Sequence, residues 1–299
     1  MVEVWFFYVL CSVVVWGFSA ILDKIILTKH LSSFSYFVVF TPPILAAIAG
    51  ILLFIPVSFD PVPFYSAFFA GPLAVLGYYF YAFAMKREEA SRVATLSSSY
   101  PAFVAVLAAI LIGEIFSLKT YVGMAIMILG ATLISYKRGT LKKLIPLAII
   151  IMIITANFLY AAEHTISKIS MGYYSFWQFF VIYLIGRTFM ILPSLAIPGF
   201  RKTFVGEIKN LKRKIAFLAL FSSVIWLLGM ITFFYAVSLG PVTLVSTISI
   251  ASPLVTLLFV VFMSKFWPRT LKEEIGRTAF SLKLVSILLI IFGLYLVTF

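Results

Sequence analysis

The sequence predicts an all-α polytopic membrane protein with ten transmembrane helices in two inverted five-helix repeats. Three observations carry that expectation: a very apolar composition, basic residues confined to alternate loops, and an internal repeat. Of 299 residues, 63% are hydrophobic and 11% charged, with a mean hydropathy of +1.15. A soluble domain is about 45–50% apolar, because it must cover its core with polar surface. Lipid is the solvent that this composition fits.

A helix needs about 20 apolar residues to cross about 30 Å of hydrocarbon. Ten stretches come within a few residues of that length: Val4–Leu22, Phe34–Ile55, Phe64–Met85, Val93–Ile112, Leu118–Tyr136, Leu144–Ala162, Phe176–Ile197, Ile215–Leu239, Val242–Met263 and Leu284–Phe299. The first follows Glu3 and contains no Lys or Arg, whereas a secretory leader has a basic start. It is expected to be a retained helix.

The basic residues then orient the chain. Connections after the first, third, fifth, seventh and ninth stretches hold Lys24 and Lys29; Lys86, Arg87 and Arg92; Lys137, Arg138, Lys142 and Lys143; Arg201, Lys202, Lys209, Lys212, Arg213 and Lys214; and Lys265, Arg269, Lys272, Arg277 and Lys283. The opposite side holds Lys119, at the first turn of the fifth stretch, and Lys168, and Arg187 is the one basic residue deep inside a stretch. One span more or fewer would scramble this split. By the positive-inside rule the basic loops are cytoplasmic, in a cell membrane, and both termini lie outside. The net charge of +13 follows from this pattern, so nucleic acid is not expected as a partner. The expected partners are the bilayer and a small molecule, with the chain a monomer.

Val93 to Pro101 (VATLSSSYP) lies over Val245 to Pro253 (VSTISIASP), with Val, Thr, Ser and Pro identical at the same offsets. Val122 to Ile134 lies over Val285 to Val297, with Gly130 and Gly293 in register. Tyr81-Ala82 recurs as Tyr235-Ala236, and Lys24 with Ser33-Phe34 as Lys168 with Ser175-Phe176, allowing a gap of two residues. Four matches in one order imply a duplicated unit, residues 1–139 and 140–299. Five helices per unit is odd, so the second copy enters the membrane upside down. Inverted repeats place a binding site near the midplane between the halves, and rocking one against the other exposes it to each side in turn.

Tyr81-Ala82, Tyr235-Ala236, the mid-helix Pro101 and Pro253, Gly113-Glu114 at the end of the fourth stretch and Gly123/Gly130 in the fifth make the chain resemble the drug/metabolite transporter superfamily, in its form with two EamA-type repeats. The resemblance spans essentially the whole chain. It implies export or exchange of small metabolites, such as amino acids or related compounds, by alternating access. Two departures stand out. The second half has Phe266 where a Gly-Glu pair would end its fourth helix, and only the second half carries an Arg in its second helix, Arg187.

Candidate site residues follow from depth, at 1.5 Å of rise per residue. Pro101 and Pro253 fall near the midplane. Each frees a carbonyl one turn earlier, at Ser97 and Ser249, which neighbouring hydroxyls can satisfy or present. A cavity lining and a kinked packing helix both fit. Asn157, Tyr160, His164 and Lys168 share one face of the sixth stretch, with Glu163 beside it. Asn157 and Tyr160 are deep enough to meet substrate. Glu163 and His164 fall nearer the outer end, as proton-coupling groups or as a solvated helix end.

Arg187 lies close to mid-bilayer, where an ionised group must be paired or hydrated. Its fork suits a carboxylate or phosphate, and an anchor to backbone carbonyls fits as well. Depth argues against a direct Arg187–Glu163 pair. Trp16, Tyr78, Tyr100 and Trp226 are deep aromatics able to stack on substrate or simply to pack. Trp16 aligns with Tyr160 in the repeat. The expected substrate site is therefore Trp16, Tyr78, Ser97, Tyr100, Asn157, Tyr160, Arg187, Trp226 and Ser249, with Tyr81 and Tyr235 as gates.

Other classes fit less well. A membrane enzyme acting on lipid would need a catalytic constellation, and the sequence has no HExxH or GxSxG pattern and two histidines, His30 and His164. A channel would carry a re-entrant filter or a charged pore ring. The single Cys11 rules out an intrachain disulfide or a multi-thiolate metal site. No catalytic residue, metal or cofactor is expected.

Overall fold

The computed structural model describes residues 3–88, 90–134, 145–264 and 277–298. The basic loops around Lys137 to Lys143 and Lys265 to Lys272, Phe266 and the boundary at 139/140 lie outside the described residues. So do the side chains of Lys24, Lys29 and Arg277.

The described residues fold into α1 (Val4–Lys29), α2 (Ser33–Val39), α3 (Thr41–Leu52), α4 (Pro61–Arg87), α5 (Ala90–Ser97), α6 (Tyr100–Leu111) and α7 (Leu118–Ile134). These are followed by α8 (Leu147–Ser170), α9 (Phe176–Ser194), α10 (Pro198–Lys209), α11 (Arg213–Leu239), α12 (Val242–Ser249), α13 (Ser252–Ser264) and α14 (Arg277–Thr298). Eight segments are long and apolar enough to cross a membrane, three of them formed by helix pairs: α2–α3, α5–α6 and α12–α13. The apolar stretches of α7 and α14, Leu118–Leu133 and Leu282–Thr298, are shorter. This is an all-helical, polytopic membrane fold among the described residues.

Several helices differ from their sequence outlines, for stated reasons. Pro101 stands at the first turn of α6 and has no N–H to give the carbonyl of Ser97, so α5 ends there instead of kinking. Ser98 Oγ and Ser99 Oγ turn back to the carbonyls of Ala94 and Leu96, at 2.9 and 2.8 Å. At the second proline, α12 ends at Ser249, whose Oγ bonds the Ser246 carbonyl at 2.8 Å. Two tight turns, Ile250 N to Thr247 O and Ala251 N to Ile248 O, lead into α13. Pro42 and Pro43 likewise start α3 and split the second stretch after Phe40. At the other extreme, α1 continues past Leu22 to Lys29 and α8 past Ala162 to Ser170. Asp23, Glu163, His164 and Lys168 are thus helical residues. The connection holding Arg201 and Lys202 contains a helix of its own, α10, whose Phe200 and Phe204 pack on Phe34 and Tyr79.

Helix α1 lies along α11, α4 along α8 and α9, and α7 along α14. Two crossings are backbone to backbone. A Cβ at Gly186 would overlap the Phe68 carbonyl oxygen, and one at Gly71 would lie 2.5 Å from the Tyr183 carbonyl oxygen. A Cβ at Gly123 would lie 2.9 Å from the Gly293 carbonyl oxygen, and one at Gly293 would lie 2.7 Å from that of Gly123. Small residues allow such approach, which in lipid is the main source of helix association. The α4/α9 crossing sets where Tyr183 and Arg187 emerge.

Candidate substrate cavity

Between these helices lies a cavity of about 730 Å³, inside the range of roughly 300–1,000 Å³ usual for small-molecule sites. Its walls come from α1, α4, α8, α9 and α11 and from the segment joining Tyr36 to Phe40. Trp16, Tyr78, Tyr160, Arg187 and Trp226 all line it. A smaller cavity of about 260 Å³ adjoins it through Tyr78, Tyr81, Tyr160 and His164, and is completed by Ser97, Tyr100 and Asn157. The remaining expected residue, Ser249, stands one layer back: its Oγ is 2.5 Å from Tyr100 Oη.

Arg187 is 4% exposed. It donates through Nη1 to Tyr183 Oη at 3.0 Å, and that hydroxyl donates to Glu163 Oε1 at 2.6 Å. Tyr183 and Arg187 are four residues apart and share a face of α9. The guanidinium carbon also lies 4.7 Å from the centre of the Trp226 ring, a cation–π contact. Arg187 and Glu163 are therefore joined through a phenol. Glu163 is buried and lines the main cavity, so the solvated helix end is corrected for this residue. His164 lines both cavities, with Nδ1 3.1 Å from Ser246 Oγ.

Asn157 donates to the Leu96 carbonyl at 3.2 Å and to Ser99 Oγ at 3.1 Å, so it pins the α5/α6 break from α8. Ser97 Oγ is buried with no partner among the described residues. Trp16 Nε1 reaches the Trp226 carbonyl at 3.3 Å, and its ring lies on Gly229, where a Cβ would collide with it.

The two tyrosines expected at gates separate. Tyr81 lines both cavities. Tyr235 is on neither and packs at the end of the molecule on Tyr8 and Phe176, with ring centres 4.5 and 5.1 Å away. That end is further tied by charges. Lys168 Nζ donates to the carbonyls of Val237 at 2.8 Å and Gly240 at 3.0 Å, and Glu114 accepts from the amides of Val242 at 2.9 Å and Thr243 at 3.1 Å.

Several cavity residues escaped sequence reasoning, among them Tyr36, Phe40, Tyr183 and Phe233, and one of those missed is charged, Asp23. Asp23 lines the main cavity and accepts from Tyr36 Oη, from Ser222 Oγ at 2.7 Å and from Ser19 Oγ at 3.5 Å. Followed by Lys24, it reads as the start of a loop. A signal existed in Ser19, one turn before it on the same helical face.

Residues 3–136 match the model of the EamA-like transporter family. That match ties residues 3–136 to the EamA-like family, which is part of the drug/metabolite transporter superfamily. A solved structure titled only "Crystal structure of protein" matches with a TM-score of 0.76 at 15% identity, over 98% of this chain and 95% of that one. At that identity it supports the fold alone. No curated protein matches the chain. Members of the EamA-like family are transporters rather than enzymes, and this chain holds a largely aromatic cavity of metabolite size.

Proposed function

We propose that this EamA-like protein is a secondary transporter, an exporter or exchanger of small metabolites such as amino acids or related compounds. In this reading it has ten transmembrane helices in two inverted repeats, residues 1–139 and 140–299, and works by alternating access. The observation that carries it is reciprocity of contact around the cavity. Trp16 lies on Gly229, and Tyr160, its repeat counterpart, lies on Gly77. Gly77 and Gly229 are 152 apart, as are Val93 and Val245 and the first residues of α4 and α11, Pro61 and Arg213. Likewise Gly130 abuts Ser286 and Ile290, while Gly293 abuts Gly123 and Met127. Shifting the first set by 163, the spacing of Gly130 and Gly293, turns one contact into the other. On the 152 spacing the counterpart of Tyr81 is Phe233, another cavity residue.

The cavity reaches Asp23, Ala82 and Met85, near the basic loop of Lys86 and Arg87. The opposite end is packed by Tyr8, Tyr235 and Phe176. Tyr235 serves as the gate there and Tyr81 lines the path at the other end. With basic loops cytoplasmic in a cell membrane, the cavity faces inward. Substrate lies against Trp16, Tyr78, Ser97, Tyr100, Asn157, Tyr160 and Trp226, with Ser249 steadying Tyr100. Arg187 holds its anionic group. Glu163 and His164 are the groups available for proton coupling.

Uptake per folded molecule tests this. Arg187→Lys keeps the charge and loses the fork, so transport should fall at least about tenfold while the melting temperature changes little. Normal per-molecule transport in both Arg187→Lys and Arg187→Gln would remove Arg187 from the site.

A further inference from the structure

Asp23 is a carboxylate on the cavity wall at the end of the first membrane span, and among the described residues it has no basic partner; the ion pair found there is Arg92–Glu88. All three of its hydrogen bonds come from hydroxyls, and all three go to Oδ1. No described hydrogen bond reaches Oδ2. Glu163, by contrast, is linked to Arg187 through Tyr183. An ionised carboxylate largely withdrawn from water favours a counter-charge, and the cavity in front of Asp23 is where one can arrive.

A row of rings leads from this carboxylate to the guanidinium. Tyr36, which donates to Asp23, lies 4.8 Å from Phe40; Phe40 lies 5.1 Å from Trp226; and Trp226 lies 4.7 Å from the Arg187 guanidinium carbon. Tyr36, Phe40 and Trp226 all line the cavity. On α11, Ser222 at Asp23 and Trp226 at Arg187 are four residues apart, about 6 Å of axis.

We propose that Asp23, held by Ser19, Tyr36 and Ser222, binds the ammonium group of an amphoteric substrate whose body lies along Tyr36, Phe40 and Trp226. This rests on the reading that Arg187 takes the anionic end. The substrate class is thereby a molecule whose ammonium and carboxylate are separated by an apolar spacer, rather than carried on one carbon.

Four probes test it by calorimetric binding to the full-length protein in nanodiscs: para-(aminoethyl)benzoate, its isomer phenylalanine, para-ethylbenzoate and para-methylphenethylamine. Wild type should bind para-(aminoethyl)benzoate more tightly than phenylalanine. Asp23→Asn should weaken para-(aminoethyl)benzoate and the amine at least about tenfold and leave para-ethylbenzoate unchanged, with Asp23→Glu recovering part of the loss. Ser222→Ala and Tyr36→Phe, which keep the charge and release its holders, should weaken the amine several-fold even where Asp23→Asn folds poorly. Unchanged amine binding in these variants overturns the proposal, as does a wild type that binds neither para-(aminoethyl)benzoate nor para-methylphenethylamine at millimolar concentration. If Arg187→Gln leaves para-ethylbenzoate binding intact, the reading of Arg187 fails while the Asp23 variants still decide the cation end.

Discussion

Tyr183 shows how much a single hydroxyl can carry here. Its Oη accepts from Arg187 and donates to Glu163, so it joins two ionisable groups that are both buried. Removing the hydroxyl leaves a buried donor and a buried acceptor without their shared partner, at a cost of about 1–3 kcal/mol. Tyr183→Phe should therefore lower the melting temperature clearly, although the ring keeps its contacts with Phe179 and Phe234. An unchanged melting temperature would mean that water or another group links the pair equally well. Arg187 was legible from sequence because a charge in an apolar run is conspicuous. Glu163 was seen but placed at a helix end, and Asp23 was passed over, because a falling hydropathy average cannot distinguish a helix leaving lipid from one turning a polar face to a protein cavity.

At the scale of elements, the same blindness explains why α1 and α8 run longer than their apolar stretches. The proline positions were legible, and their effect was underestimated. Pro101 and Pro253 end helices, and the serines beside them close the breaks. Charges at loop corners do structural work too: Glu114 accepts two amides at the start of α12, where the helix dipole favours an anion, and Lys168 meets carbonyls at the end of α11. The α4/α9 crossing gives the sharpest test at this scale. A methyl at Gly186 meets backbone of Phe68 rather than a movable side chain, so the two helices must separate. Gly186→Ala should cost about 1–3 kcal/mol of stability and reduce transport per folded molecule by shifting Tyr183 and Arg187. Gly199→Ala on α10, where nothing lies within 4 Å, should change neither; equal effects of the two substitutions would sever the crossing from the site.

For the whole molecule, the proposed repeat rests on four short matches in the sequence, which do not fix its register. A two-residue gap placed Tyr81 over Tyr235, whereas contacts around Gly77 and Gly229 pair Tyr81 with Phe233. Apolar identities recur too often along a membrane helix to fix register without knowing what each side chain touches. Orientation rests on the basic loops alone. In a Cys11→Ser background, cysteines at the exposed Phe59 or Gly172 should react with an impermeant maleimide from outside intact cells; protection of both would invert the topology. Alternating access itself is tested by a cysteine at Ala20, which lines the cavity, combined with a disulfide between cysteines replacing Tyr8 and Tyr235 at the closed end. In vesicles of either orientation, labelling at position 20 should be fast from the basic-loop face and slow from the other. Closing the disulfide should abolish only the slow labelling, and reduction should restore it. Equal labelling from both faces, or labelling from the far face that survives the disulfide, would contradict a carrier with one cavity opened in turn to each side.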